Sequence, residues 1–271
     1  MIIMSKTIGI IAIKGGVGKT TISSSLAVDL ANNYNKKVLL IDANYGAPNL
    51  GLHMDILEPQ KTIHEVLANN AMIESAIHSR FGVDVIPGSY NFPYPFNPLK
   101  LRNRIRKISR NYDFVVIDSS PSLNEEVLST MLASDILFAV STPDYPTLSC
   151  TLKASKLAFQ RGRPIAGIIL NKVREPKYEL NMNEIEKTTN IPIVAKIYDD
   201  KMPLRAVFTR IPVPLYDKHS RFAKEINGLS AALTNTKEKR SFFARVFLPH
   251  FRKEQVNRQI LKQNFYRRQF V

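Results

Sequence analysis

The stretch IGIIAIKGGVGKTT, residues 8–21, constrains the fold more than any other feature of the chain. An apolar run feeds three glycines, a lysine and two threonines, and a helical pattern follows. That order is a strand, a loop and a helix wrapped around a phosphate. Gly15, Gly16 and Gly18, with Val17 between them, let backbone N–H groups turn inward, and the helix presents its positive N-terminus. Lys19 adds a point charge for the outer phosphate oxygens, Thr20 offers its hydroxyl to Mg²⁺, and Thr21 completes the loop. The pattern departs from G-x-x-x-x-G-K-[ST] at its front: Ile13 stands where the first glycine belongs, and Lys14 follows it. Two lysines flank the loop where one normally suffices.

Beyond the loop, short β-rich runs at 8–13, 38–41, 83–86, 114–117, 136–140, 165–170 and 191–195 alternate with helical patterns at 20–34, 61–69, 98–110, 123–133, 147–160, 181–189 and 217–234. Near-continuous apolar strands separated by helices predict an α/β fold, a mostly parallel sheet covered on both faces. Ligands of such sheets bind at the carboxyl ends of the strands. Two strands end there in an acid. FVVID ends in Asp118, placed to hold magnesium opposite Thr20, and VLLID ends in Asp42, a further candidate for the metal shell.

With 271 residues, the chain is somewhat long for one such domain. Its one cysteine, Cys150, excludes an internal disulfide, and no Cys/His cluster has metal-ligand spacing, so a reducing, cytoplasmic setting is expected. The apolar runs fall short of the ~20 residues of a membrane span. Charge is uneven: residues 236–271 hold ten Lys/Arg against two Glu, a balance of +8 within a total of +15. The composition shift divides the chain into a domain at 1–235 and a basic tail at 236–271.

KGGVGKTT with its leading lysine, IDANYGAPNLGL, VVIDSSP and ILNKV together resemble the MinD/ParA family of deviant Walker A P-loop ATPases, of the archaeal MinD-like type, over residues 5–235. The resemblance implies ATP and Mg²⁺ as cofactors and an ATP-dependent homodimer in which Lys14 crosses to the partner subunit's phosphates. A cation arriving in trans would stabilise charge on the transferred phosphoryl group. The resemblance also carries Asn171 to an adenine-contacting position. It sets Asp199 and Asp200, in IYDDKMPLRA, beside the base, although Tyr198 replaces the family's proline there. The family's second strand usually ends Asp-x-Asp, whereas this chain has Asp42-Ala43-Asn44. An amide orients water but takes no proton from it, so slow hydrolysis or a changed switch is expected.

In the tail, a helical reading of KRSFFARVFLPHF puts Phe242, Phe243, Val246 and Phe247 on one face and Arg245 elsewhere, with Pro249 ending or kinking the helix. An aromatic face flanked by cations fits an anchor on an anionic membrane. A helix docked on the domain and a basic nucleic-acid arm are the other readings. The segment beyond Pro249 is not cleanly amphipathic, since Val256 and Ile260 lie opposite Leu261. A second basic run, Lys100, Arg102, Arg104, Arg106, Lys107 and Arg110, reads as a solvated helix face or a nonspecific DNA contact. The expectation is therefore a cytoplasmic ATPase, peripheral on the membrane in its ATP state, that positions an unknown cargo or answers to an unknown protein regulator. The rival is a DNA-associated partitioning ATPase.

Overall fold

The computed structural model describes residues 5–175, 177–236 and 252–267. Eight strands form one sheet: β1 Lys6–Ile11, β2 Val38–Ala43, β3 His78–Arg80, β4 Val83–Ile86, β5 Phe114–Ser119, β6 Ile136–Ser141, β7 Ile165–Val173 and β8 Ile193–Tyr198. Their order is β3-β4-β2-β5-β1-β6-β7-β8, parallel throughout except for the β3–β4 pair. The parallel, helix-covered sheet expected from the sequence is present. β1 ends at Ile11 rather than residue 13, so Ala12 and Ile13 already belong to the loop. The short edge strand His78–Arg80 lies outside the expected set because three polar residues carry no apolar signal.

Side-chain alternation sends successive strand residues to opposite faces. On one face Ile8, Ile10, Leu40 and Val116 pack under α1 (Lys19–Tyr34) and under Phe222, Ile226 and Leu229 of α10 (Arg221–Leu233). On the other, Leu39, Ile41 and Ile117 meet α3 (Ile63–Leu67) and α4 (Leu101–Ile108), while Ile11, Leu137 and Ile168 meet α5 (Glu125–Ala133), α6 (Tyr145–Gln160) and α7 (Met182–Thr189). Helix α4 buries Leu101, Ile105 and Ile108 and turns most of its cations outward. Three short helices escaped the sequence pattern: α2 (Leu50–His53), α8 (Met202–Thr209) and α9 (Val213–Tyr216).

Part of the tail docks. Helix α11 (Lys253–Arg267) lies against β8 and α10, which is the docked-helix reading of this segment. Among its described side chains, Glu254, Asn257, Arg258 and Leu261 are buried, one stripe at helical spacing but mostly polar. Asn257 Nδ2 donates to the Ile193 carbonyl at 2.8 Å, and Arg258 donates to the Val194 carbonyl at 3.2 Å and to Glu225 at 3.0 Å. These side chains cap the backbone of β8, the sheet's edge strand. The aromatic segment at 242–247 lies outside the described residues.

Candidate nucleotide site

The glycine loop leaves β1 and enters α1 with two residues in the left-handed region, Gly16 at φ 74° and Gly18 at φ 98°. A side chain at Gly18 would also strike the Asn171 amide, 2.5 Å from an added Cβ, so conformation and space both demand glycine there. No side chain caps the start of α1, which leaves the first-turn amides facing the cleft for an anion. Above the loop opens a cleft of about 520 Å³ lined by Gly15, Gly16, Gly18, Lys19, Thr20 and Thr21, and on its far wall by Asn44, Asn171 and Asp199.

Lys19 is buried, and burial lowers the pKa of its amine while the Asp118 charge works the other way. Thr20 Oγ1 donates to Asp118 Oδ2 at 2.6 Å, and Ser23, one turn on, donates to Asp118 Oδ1 at 3.1 Å. Asp42 and Asp118 are register partners on β2 and β5, both buried. Burial raises both carboxyls. The Asp118 charge adds to the rise at Asp42, and hydrogen bonds from Thr20 and Ser23 together with the Lys19 charge moderate it at Asp118. A cation entering here would reverse that rise, and a threonine hydroxyl with a carboxylate is the hard-oxygen donor set magnesium takes when phosphates supply the rest. Among the described residues no cluster of three or more His, Cys, Asp or Glu forms a separate metal cage.

The two strand-end acids differ in use. Both Asp42 oxygens accept backbone amides, from Asn44 and Leu50 at 3.0 Å each, which closes the loop between β2 and α2. The Asn44 amide donates to the Ala47 carbonyl inside that loop.

Asn171 also has structural work: its amide donates to the Val17 carbonyl at 2.8 Å, bracing the loop from below. Its neighbour Lys172, outside the sequence selection, adopts φ 56° and sends its amine to the Gly16 carbonyl at 2.8 Å. Asp199 reaches the cleft but is bonded by Arg174 at 2.6 Å. Lys14 stands outside the cleft lining, on the rim, with its amine 3.2 Å from Asp144, the N-cap of α6. Burial pushes the Asp144 carboxyl up, yet hydrogen bonds from Thr142, Thr147 and Lys14 outweigh it and hold the group below the usual carboxylate range.

The family described as "AAA domain" matches residues 5–151, more than half of the chain. An ATP-binding protein of Methanocaldococcus jannaschii is 32% identical over 210 residues, covering 76% of this chain and 80% of that protein. Among solved structures, the cell division ATPase MinD of Pyrococcus furiosus superposes with a TM-score of 0.80 at 29% identity, covering 85% of this chain and 98% of that one. This chain is a member of the MinD/ParA family of P-loop ATPases. The septum site-determining protein MinD of Pyrococcus horikoshii, solved with Mg-ADP, matches with a TM-score of 0.80 at 28% identity, covering 85% and 96%. The glycine loop, Thr20 and Asp118 thus belong to a family whose members bind nucleotide with magnesium. Ser23, Lys172, Asn49 and Tyr198 join the site from outside the sequence selection. Of these Lys172 was the nearest to hand, adjacent to Asn171 in the same motif.

Proposed function

We propose that this chain binds ATP with Mg²⁺ in the glycine-loop cleft, dimerises across that face, hydrolyses ATP slowly, and uses the cycle to attach peripherally to an anionic membrane and position a partner. The observation that carries it is the Thr20 hydroxyl on the buried Asp118 carboxylate beneath an uncapped glycine loop. In this reading the loop amides, Lys19 and Lys172 hold the phosphates, and Thr20 with Asp118 holds the metal. Asp42 locks the switch loop, and Asn44 and Asn49 line the place of the attacking water. Bound magnesium would supply charge neutralisation for the developing phosphoryl transfer. Lys14 is parked on Asp144 in the single chain and leaves it for the partner subunit's phosphates, so dimerisation reports the γ-phosphate. In this reading the membrane anchor is residues 237–251, between Thr236, just after α10, and Arg252 beside Glu225.

Light scattering tests the core of this reading. ATP with Mg²⁺ should give a dimer, ADP should not, and Lys14→Ala should remain monomeric while still binding ATP; a persistent ATP dimer in that variant sinks the role of Lys14. Flotation with anionic vesicles should be lost when 237–251 is replaced by a Gly/Ser linker of equal length, and retained flotation moves the anchor elsewhere.

The basic face of α4, Arg102, Arg106 and Lys107, favours a second reading, DNA attachment by a partitioning ATPase. Binding that falls steeply with salt would support it, because phosphate contacts release counterions.

A further inference from the structure

His64 sits in the first turn of α3, where Thr62 and Glu65 form a capping box that fixes the helix start. Its ring is buried, with 2% of the residue exposed. The Ser89 N–H donates to Nδ1 at 3.0 Å, so Nδ1 is the bare nitrogen and Nε2 carries the proton. Nε2 lies 3.1 Å from the Tyr45 carbonyl and donates to it. The imidazole therefore ties together two backbones that are far apart in sequence: the loop from Asp42 to Leu50, and the arm from Pro87 to Asn97 that follows β4.

The same arm grips that loop at two further points. Gly88 lies so close to Pro48 that an added Cβ would meet the proline Cβ at 2.4 Å, and the Tyr90 hydroxyl donates to the Asn49 side chain at 3.1 Å. Around His64, Phe92 and Phe96 of the arm stack with ring centroids 5.5 and 5.0 Å away, and Phe96 meets the Tyr45 ring at 5.4 Å. Tyr45 follows Asn44 directly, and Asn44 and Asn49 both line the cleft. Prolines at 93, 95 and 98 lower the arm's own freedom.

We propose that His64 is a positioning residue for the nucleotide cleft: by holding the Tyr45 carbonyl against the aromatic arm, it sets the orientation of Asn44 and Asn49 over the phosphates. The kinetic part rests on the ATPase reading above; the structural part does not.

The test uses three substitutions in the full chain. The amide of glutamine reaches the place of Nε2 and can still donate to Tyr45. That of asparagine reaches only the place of Nδ1, and leucine reaches neither. Hydrogen exchange of the nucleotide-free protein should be about tenfold faster in residues 44–50 for His64→Asn and His64→Leu, the worth of one hydrogen bond, and near wild type for His64→Gln. Steady-state kcat should fall about tenfold in the first two with KM within about threefold, because the loss concerns orientation rather than affinity. Tyr90→Phe, an exposed change that removes one hydroxyl, should speed exchange at 49–50 alone. Unchanged exchange in His64→Asn, or a glutamine variant as impaired as the asparagine one, overturns the proposal. Faster exchange with unaltered kcat reduces His64 to a packing residue and equally overturns it. If the leucine variant fails to fold, the Gln/Asn pair and Tyr90→Phe still decide. Absence of any wild-type hydrolysis would instead strike the ATPase reading, with the exchange result standing on its own.

Discussion

The glycine-loop end of the sheet and its β8 edge are finished by opposite means. At the loop, apolar strands run into glycines and a helix start without a cap, so unpaired backbone donors are left pointing at a cleft. At β8, the open backbone is closed off by the side chains of α11, chiefly Asn257 and Arg258. One end exposes polar backbone to take a ligand, and the other covers it to refuse one. The lesson is that a buried helix face need not be apolar. Where its task is to satisfy an edge strand, amides and a guanidinium serve, and the buried stripe among the described side chains is mostly polar.

The sharpest way to break this contrast is at Lys19. Lys19→Ala should weaken ATP binding about 1,000-fold, about 4 kcal/mol, because charge-assisted bonds to phosphate disappear from a buried site. Thermal stability should hold or rise slightly, since the lysine's charge is desolvated in the free protein. Calorimetric titration with ATP would show it, and near-normal affinity would mean the cleft binds something else.

Arg258 probes the other end. Arg258→Met leaves the half-buried Glu225 without this partner and uncaps Val194, so stability should drop by about 3 kcal/mol and Tm by about 5–10 °C. Affinity of the folded protein for ATP should be unchanged. A variant as stable as wild type would mean that α11 is not needed to close the sheet, and the whole tail could then be removed after Thr234 without cost.

The smallest expected effect belongs to Asn44. Asn44→Asp gives the attacking water a carboxylate but forfeits the donor to Ala47, so the gain in single-turnover hydrolysis is partial, about three- to tenfold. Quenched-flow measurement with folding and ATP affinity preserved would decide it. An unchanged or lower rate makes Asn44 a loop cap and nothing more.

These comparisons also mark what the sequence could disclose. The parallel sheet and the phosphate loop were legible because apolar runs, glycine spacing and strand-end acids are local signals. The docking of α11 was not, since Glu254, Asn257 and Arg258 look like any solvated face until β8 lies beneath them. Helix α8 hid for another reason: Pro203 at its first turn and an exposed Leu204 and Phe208 give it no core-facing period. For His64, T-I-H-E discloses the capping box but not that a loop and an arm converge on the imidazole, which depends on pairings across the fold. Asn171 stood out for its adenine chemistry, and its amide also donates to the Val17 carbonyl, a use visible only in three dimensions.

The polar closure of β8 has a consequence in time. The strand ends at Tyr198 and its cover begins at Lys253, some 55 residues later in synthesis. At about 5–20 residues per second, the edge waits about 3–11 s for its cap. During that interval a nascent chain offers a bare, pairing-competent strand to its neighbours on the same message. Crowded polysomes should therefore aggregate this protein before its last helix emerges, and slowing translation after residue 198 should lower the soluble yield.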